Sequence, residues 1–232
     1  MKITWKSPYA LYDEKLPTET IVRYFTDKNI LSTRENMYGG FDEYRKNIYE
    51  NYNHGGFYTS IYPEDECLLY VMSEIIQPKS TFVAGSYYGY WAVWAMKTIS
   101  GNGGTIVLSD IDREVCVLAN KNFSKLGYEN NTKIYCEDAV KLLSGREEAI
   151  DMFVLDAMGS WNDPRPEYRG KRIYLPILES ARHLLKKGSA IVLHNMKPRN
   201  PETKMLVDKL RSLNAIGMCY DTPPGIGVYI VT

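Results

Sequence analysis

The chain has 232 residues, 44% of them hydrophobic, and a formal net charge of zero. That length suits one compact α/β domain with an extension better than two equal domains. A neutral balance gives no charge-driven case for nucleic acid or an anionic membrane surface as partner, and no stretch approaches the roughly 20 apolar residues of a membrane span. The start, Met1 to Lys6, has no apolar run behind it, so no signal peptide is expected. Cys67, Cys116, Cys136 and Cys219 lie far apart with no metal-type pairing. The expectation is buried, inert thiols in a cytoplasmic protein.

Residues 1–60 form the extension, and 61–232 the main domain. Pro17 can open a short helix through about Lys28. Asn36 to Gly56 mixes tyrosine, asparagine and glycine and reads as an aromatic loop or irregular helix. Nineteen tyrosines are many for this length, and they crowd the first 90 residues. A disordered arm is poor in aromatics, so this region packs on something. It either completes the core or closes over a substrate as a lid. Tyr62-Pro63-Glu64-Asp65-Glu66 starts a clearer helix, with Pro63 in its first turn and the acids at the positive end of its dipole. Leu68, Leu69, Met72, Ile75 and Ile76 recur at helical spacing, and Pro78 ends it.

From Thr81 the pattern alternates. Strands are expected at Thr81–Gly85, Thr105–Ser109, Lys133–Cys136, Asp151–Leu155 and Ser189–Leu193. Helices are expected at Tyr90–Ser100, Arg113–Leu126, from Ala139, at about 171–186 and at Glu202–Leu213. Two last strands, Ile216–Tyr220 and Val228–Val231, flank a Pro-Pro-Gly turn and read as an edge hairpin. Five strand–helix alternations imply right-handed crossovers and a doubly wound, mostly parallel sheet with helices on both faces. Ligands of such sheets sit at the carboxyl ends of the strands.

After strand 1 come Gly85, Ser86, Tyr87, Gly89, Tyr90 and Trp91. The two glycines let backbone approach a ligand, and the helix start offers free N–H groups. Asp110, followed by Ile111 and Asp112, ends strand 2 at the distance from the glycine turn at which an acid accepts from ribose hydroxyls. Asp112 is better read as a helix cap. Glu137, Asp138 and Ala139 follow strand 3, where Asp138 can accept from an adenine amino group or cap the next helix. Asp156 follows strand 4, and His194 and Asn195 follow strand 5. Four polar groups at four strand ends are far more specific than any one of them.

On these residues the stretch from about Gly56 to Thr232 resembles the small-molecule O-methyltransferases that use S-adenosylmethionine, of the catechol and caffeoyl-CoA type. The resemblance rests on Ala84-Gly85-Ser86-Tyr87-Tyr88-Gly89-Tyr90, Ser109-Asp110-Ile111-Asp112, Cys136-Glu137-Asp138-Ala139, Phe153-Val154-Leu155-Asp156 and Pro223-Pro224-Gly225-Ile226-Gly227. It implies a seven-stranded sheet with the last strand antiparallel, and a sulfonium cofactor over the first two strand ends. It also implies a small-molecule acceptor and allows a homodimer.

Three departures stand out. Ala84 sits where many relatives carry an acid that holds the amino-acid end of the cofactor. The metal-dependent relatives carry Asp after strand 4 and Asp-Asn after strand 5, where this chain has Asp156 and His194-Asn195. A histidine removes a charge and a hard oxygen ligand from an Mg²⁺ set; Mn²⁺ or Fe²⁺ tolerates it better, and the expectation is no catalytic metal. Where the catechol enzymes place a lysine shortly after the strand 4 Asp, this chain reads Ala157-Met158-Gly159-Ser160-Trp161.

The expected activity is methyl transfer to a hydroxyl or amine of a small molecule. His194 is read as base or acceptor-orienting group, with Asp156 and Asn195 beside it. Tyr87, Tyr90 and Trp91 are read as faces for the sulfonium, and Trp94 as core. Trp161 to Tyr174 is expected to help the N-terminal region roof the pocket. Two other outcomes share the fold: attack by the cofactor's own amino group, releasing methylthioadenosine, and binding without turnover. The identity of the acceptor is not legible.

Overall fold

Seven short apolar runs pair into one sheet. In a computed structural model, which describes residues 13–232, they are β1 (Ser80–Ala84), β2 (Thr105–Asp110), β3 (Thr132–Cys136), β4 (Ile150–Leu155), β5 (Leu185–His194), β6 (Ala215–Tyr220) and β7 (Ile226–Val231). Their order is β3-β2-β1-β4-β5-β7-β6. The first five are parallel, and β7 runs antiparallel to both β5 and β6. This is the expected doubly wound sheet, with the Pro-Pro-Gly turn joining the edge hairpin. The strand order reverses between β1 and β4, and a crevice opens at their carboxyl ends.

The central strands read as continuous apolar runs because both faces are covered. Val83, Ile106, Leu108, Met152, Val154 and Val192 face one core. Phe82, Ala84, Val107, Phe153, Leu155 and Ile191 face the other. The first core receives α1 (Leu16–Asp27), α2 (Phe41–Asn51), α3 (Pro63–Ile76), α4 (Met96–Gly101) and α5 (Arg113–Lys125). The second receives α6 (Ala139–Ser144), α7 (Tyr174–Ala181) and α8 (Pro201–Ser212). Among the described residues no helix is long and apolar enough to cross a membrane. The expectation about Met1 to Lys6 lies outside the described residues.

The tyrosine-rich extension is built into the first core. Phe41, Tyr44 and Ile48 form one buried stripe of α2, so this stretch is a regular helix rather than a loop. Its interleaved asparagines and charges masked the stripe. The Tyr44 hydroxyl donates to the Val93 carbonyl (2.6 Å), and that of Tyr52 to the Tyr88 carbonyl (2.6 Å). Buried tyrosines carry a hydroxyl that needs such a partner, and here backbone supplies it.

Three further expectations need correction. The helix expected from Tyr90 begins instead as a 3₁₀ turn at Ala92–Ala95, where fully buried Trp94 crowds the tight first turn. The helix expected over 171–186 is interrupted: 3₁₀ turns flank α7, and β5 already begins at Leu185. Cys136 is exposed, because it lies on edge strand β3.

The acids of α3 stand in its first turn, as expected, but they are buried. Glu64, Asp65 and Glu66 are 2%, 0% and 1% exposed. Glu66 accepts from the hydroxyls of Tyr90 (2.6 Å) and Tyr49 (2.7 Å). Burial pushes its carboxyl up to about 7, against the pull of those two donors. A carboxyl raised in the folded state binds protons more tightly than in the unfolded chain. Stability therefore falls as pH rises from the unfolded value towards 7, by on the order of 3 kcal/mol for this group. Glu66→Gln keeps a donor and an acceptor for the two tyrosines and removes the titration. Its melting temperature will exceed that of the wild type at pH 8 and converge with it near pH 5, measured by calorimetry. A parallel pair of curves excludes the assignment.

Candidate active site

The chain leaves β1 through Gly85 (φ 73°), Tyr87 (φ 51°) and Gly89 (φ 83°). A Cβ on Gly85 would lie 2.2 Å from the Ala157 Cα, so only glycine lets the exits of β1 and β4 pass this closely. Tyr87 adopts a left-handed conformation that costs a non-glycine residue about 1–3 kcal/mol. Backbone bonds hold it there. The Gly85 and Ser86 N–H groups donate to the Ser109 carbonyl (2.9 and 3.0 Å), and the Tyr87 N–H to Asp110 Oδ2 (2.8 Å).

A crevice of about 200 Å³ opens beside this turn, walled by Gly85, Asp110, Ile111, Asp138, Ala139 and Met158 among others. Burial pushes the Asp110 carboxyl up, and the N–H groups of Asp112, Tyr87 and Ile111 pull it back down. Ile111 is a large apolar side chain left 76% exposed beside this carboxylate. A carboxylate acceptor next to an open apolar face suits a nucleoside, ribose on the acid and base over the isoleucine. Asp112 caps α5 through the Glu114 N–H (2.8 Å), as expected. Asp138 Oδ1 caps α6 through Val140 N–H (2.7 Å), while the residue also walls the crevice. Glu137 walls it too, with its carboxylate paired to Lys141.

A small inner gap of about 30 Å³ continues from Gly85, Ser86 and Tyr87 to Asp156, roofed by Thr59, Ile61, Tyr90 and Trp91. Tyr90 is anchored on Glu66, and Trp91 Nε1 donates to the Asp65 carbonyl (3.0 Å). Thr59 and Ile61 come from the segment that links the extension to α3, and sequence reasoning did not single them out.

Asp156 lies at the centre of the strand ends. Its N–H donates to the Ala84 carbonyl (2.9 Å). Its Oδ1 faces His194 Nδ1 at 3.1 Å and Lys171 Nζ at 2.8 Å. Burial alone would raise this carboxyl, but the adjacent Lys171 and His194 charges hold it below the usual range. The His194 ring is 0% exposed. It lies 5.2 Å from the Trp91 ring, and its Nε2 faces Asp65 Oδ2 at 3.5 Å. Burial pulls the imidazole pKa down, yet the carboxylates of Asp156 and Asp65 outweigh it and hold the ring protonated. The ring expected to act as base or acceptor-orienting group is thus wholly buried and lines neither the crevice nor the inner gap. Asn195 (φ 58°) sets its Oδ1 3.2 Å from His194 Nδ1.

Lys171 is the group that linear reading missed. The loop after β4 is pinched at its neck by two backbone bonds between Gly159 and Gly170 (3.0 and 3.1 Å). Gly170 (φ 54°) turns beneath the Trp161 ring, which a Cβ there would strike at 2.6 Å. The neck brings Lys171 back to the strand end that the loop left. There its Nζ also donates to the Ala157 carbonyl (3.0 Å) and lies 3.2 Å from the Tyr174 hydroxyl. The absence of a lysine immediately after Asp156 is thus made good in space. The only sequence signal was the pair of glycines bracketing the loop.

Asp156, His194 and Asn195 do converge, but they do not fit a divalent metal. Asp156 Oδ1 already faces two cationic groups, and the histidine beside it has both ring nitrogens turned to carboxylates, Asp156 and Asp65, rather than to an open position. Beyond Lys171 and Asn195 lies a second cavity of about 650 Å³, which also meets Met158.

Residues 82–196 match the family model described as a methyltransferase domain. No curated protein matches the chain in sequence. Among solved structures, a methyltransferase from Geobacter sulfurreducens aligns with a TM-score of 0.59 at 16% identity, over 96% of this chain and 100% of that one. An O-methyltransferase from Bacillus cereus in complex with SAH gives 0.57 at 14% identity, over 95% and 100%. The O-methyltransferase TomG of Streptomyces achromogenes, in complex with SAM, gives 0.54 at 16%, over 95% and 99%. Such identities speak for the fold, and the domain match speaks for the chemistry built on it. The chain carries a methyltransferase domain on the seven-stranded sheet it shares with these structures.

Proposed function

We propose that this protein transfers the methyl group of S-adenosylmethionine to a hydroxyl or amine of a small molecule without a catalytic metal. The observation that carries the reading is the meeting of two compartments at one ion pair. Asp156 faces the inner gap that continues from the crevice, and Lys171, paired to it, faces the second cavity. When bound, the cofactor supplies an electrophilic methyl on a sulfonium, and SAM or SAH occupies two of the structural relatives. Asp110 would hold the ribose, Ile111 and Ala139 the base, and the turn from Gly85 to Trp91 the amino-acid end with its aromatic faces.

The remaining work falls to alignment and charge. An acceptor in the second cavity reaches Lys171 first. Its ammonium holds the oxygen of a hydroxyl acceptor in its deprotonated form, the proton having passed to solvent before transfer, and Asp156 fixes the ammonium in place. An amine acceptor needs only orientation. The fixed cations make a metal redundant, since they supply the positive charge that an ion would bring. Attack of the cofactor on itself would leave the second cavity without a use, which favours a two-substrate reaction.

Three outcomes are expected. Asp110→Ala will weaken S-adenosylhomocysteine binding by about tenfold or more in calorimetry, because both the ribose contact and the Tyr87 latch are lost; wild-type affinity in the variant removes the crevice from consideration. Lys171→Met will lower kcat by about a hundredfold or more with cofactor affinity intact, once an acceptor is in hand. A kcat unchanged at saturating acceptor sinks the role of the ammonium. Chelator treatment will leave turnover unchanged; activity lost on dialysis and restored only by Mg²⁺ or Mn²⁺ argues for a metal after all. Methylthioadenosine formed from the cofactor alone would instead identify a cyclase.

A further inference from the structure

We propose that the acceptor is an anion. The second cavity takes a small molecule with a carboxylate or phosphate, which Arg169 and Arg172 bind, and its reacting group points to Lys171. The inference rests on the methyl-transfer reading and names the substrate class of that same site.

The chain as a whole is neutral, but this cavity is not. Its wall carries Arg169, Lys171, Arg172 and Lys197 against one acid, Glu202. Two of the four cations are committed. Lys171 is paired to Asp156 at 2.8 Å, and Lys197 to Asp221 at 3.0 Å with a further bond to the Thr222 carbonyl (2.6 Å). The two arginines are held more loosely. Arg172 comes no closer to Glu202 than 3.8 Å, beyond hydrogen-bond range. Arg169 spends its Nε on the Asp163 carbonyl (2.7 Å); the Asp163 carboxylate, bonded to Arg165, reaches Arg169 only through its field. Two guanidinium groups with donors to spare, on one wall, match the planar geometry of a carboxylate or the oxygens of a phosphate.

The rest of the wall is apolar. Pro223, Pro224, Leu206, Met158 and Trp161 line it. Trp161 and Met158 are 72% and 58% exposed, large apolar surface that a bound ligand body would cover. The cavity therefore suits an amphipathic molecule: an apolar, preferably planar body with one anionic end. Because Arg172 follows Lys171 directly in the chain, the anion is gripped next to the group that faces the reacting atom. That arrangement fixes both ends of a short acceptor, which is what in-line transfer requires.

The test uses three small probes of similar size: 4-hydroxybenzoate, phenyl phosphate and the neutral 4-hydroxybenzyl alcohol. Binding is followed by tryptophan fluorescence on the full-length protein at low and moderate salt, alongside calorimetry with S-adenosylhomocysteine. At least one anion will bind about tenfold or more tightly than the neutral probe, less so as salt rises. The tighter of the two anions identifies the headgroup as carboxylate or phosphate. The R169Q/R172Q double variant will lose this preference while keeping its S-adenosylhomocysteine affinity and its melting temperature. Equal binding of all three probes by the wild type, no binding by any of them, or an anion preference retained in R169Q/R172Q overturns the proposal. A wild-type protein that prefers the anions but does not bind S-adenosylhomocysteine would overturn the methyl-transfer reading alone.

Discussion

The strand ends are tied together by one carboxylate. Asp156 is joined through its backbone to the end of β1, through its side chain to His194 at the end of β5, and to Lys171 at the neck of the loop that follows β4. Asp65, at the start of α3, closes the row from behind. Charges alternate along it: acid, imidazolium, acid, ammonium. Each of these groups is costly to bury alone, and together they compensate one another. Removing Asp156 would leave Lys171 without its ion-pair partner in a poorly solvated place, a larger penalty than the pair itself is worth. The row thereby brings four separate chain segments to one place.

Much of this was legible in the sequence, for a definite reason. Strand ends follow from apolar periodicity, and whatever polar residue comes next must lie on the ligand edge. Gly85, Asp110, Asp138 and Asp156 were found in that way, and the crevice does gather the first three. The left-handed Gly85 and its contact with Ala157 explain why that position needs glycine. Periodicity does not say how deep a polar residue lies. His194 occupies the expected strand end, yet sits wholly beneath the surface.

What stayed hidden depends on packing between distant segments. Glu64, Asp65 and Glu66 look like ordinary acids of a helix start, because the sequence does not reveal that Tyr49 of α2 and Tyr90 will close on Glu66. The stripe of α2 was obscured by its own polar neighbours. Lys171 was invisible for a topological reason. A loop of irregular backbone carries no period, and only its pinched neck returns the lysine to Asp156. Sequence distance from a strand end is thus a poor guide wherever the following loop folds back on itself.

The same loop explains why the site has two unlike sides. On the side of β1 to β3 the crevice is walled by backbone turns and strand-end acids, completed by Met158, Ser160, Asp163, Arg165 and Tyr168 of the loop after β4. On the other side the wall comes from the loop after β4, the start of α8 and the turn before β7. These segments are free to vary without disturbing the sheet. The loop that presents Trp161 and Arg169 to the second cavity also delivers Lys171 to Asp156. Acceptor recognition and the charge beside the reacting atom are therefore carried on one piece of chain. A change in that loop reaches both cavities, because Met158 lines each of them and Ser160, Asp163, Arg165 and Tyr168 line the crevice.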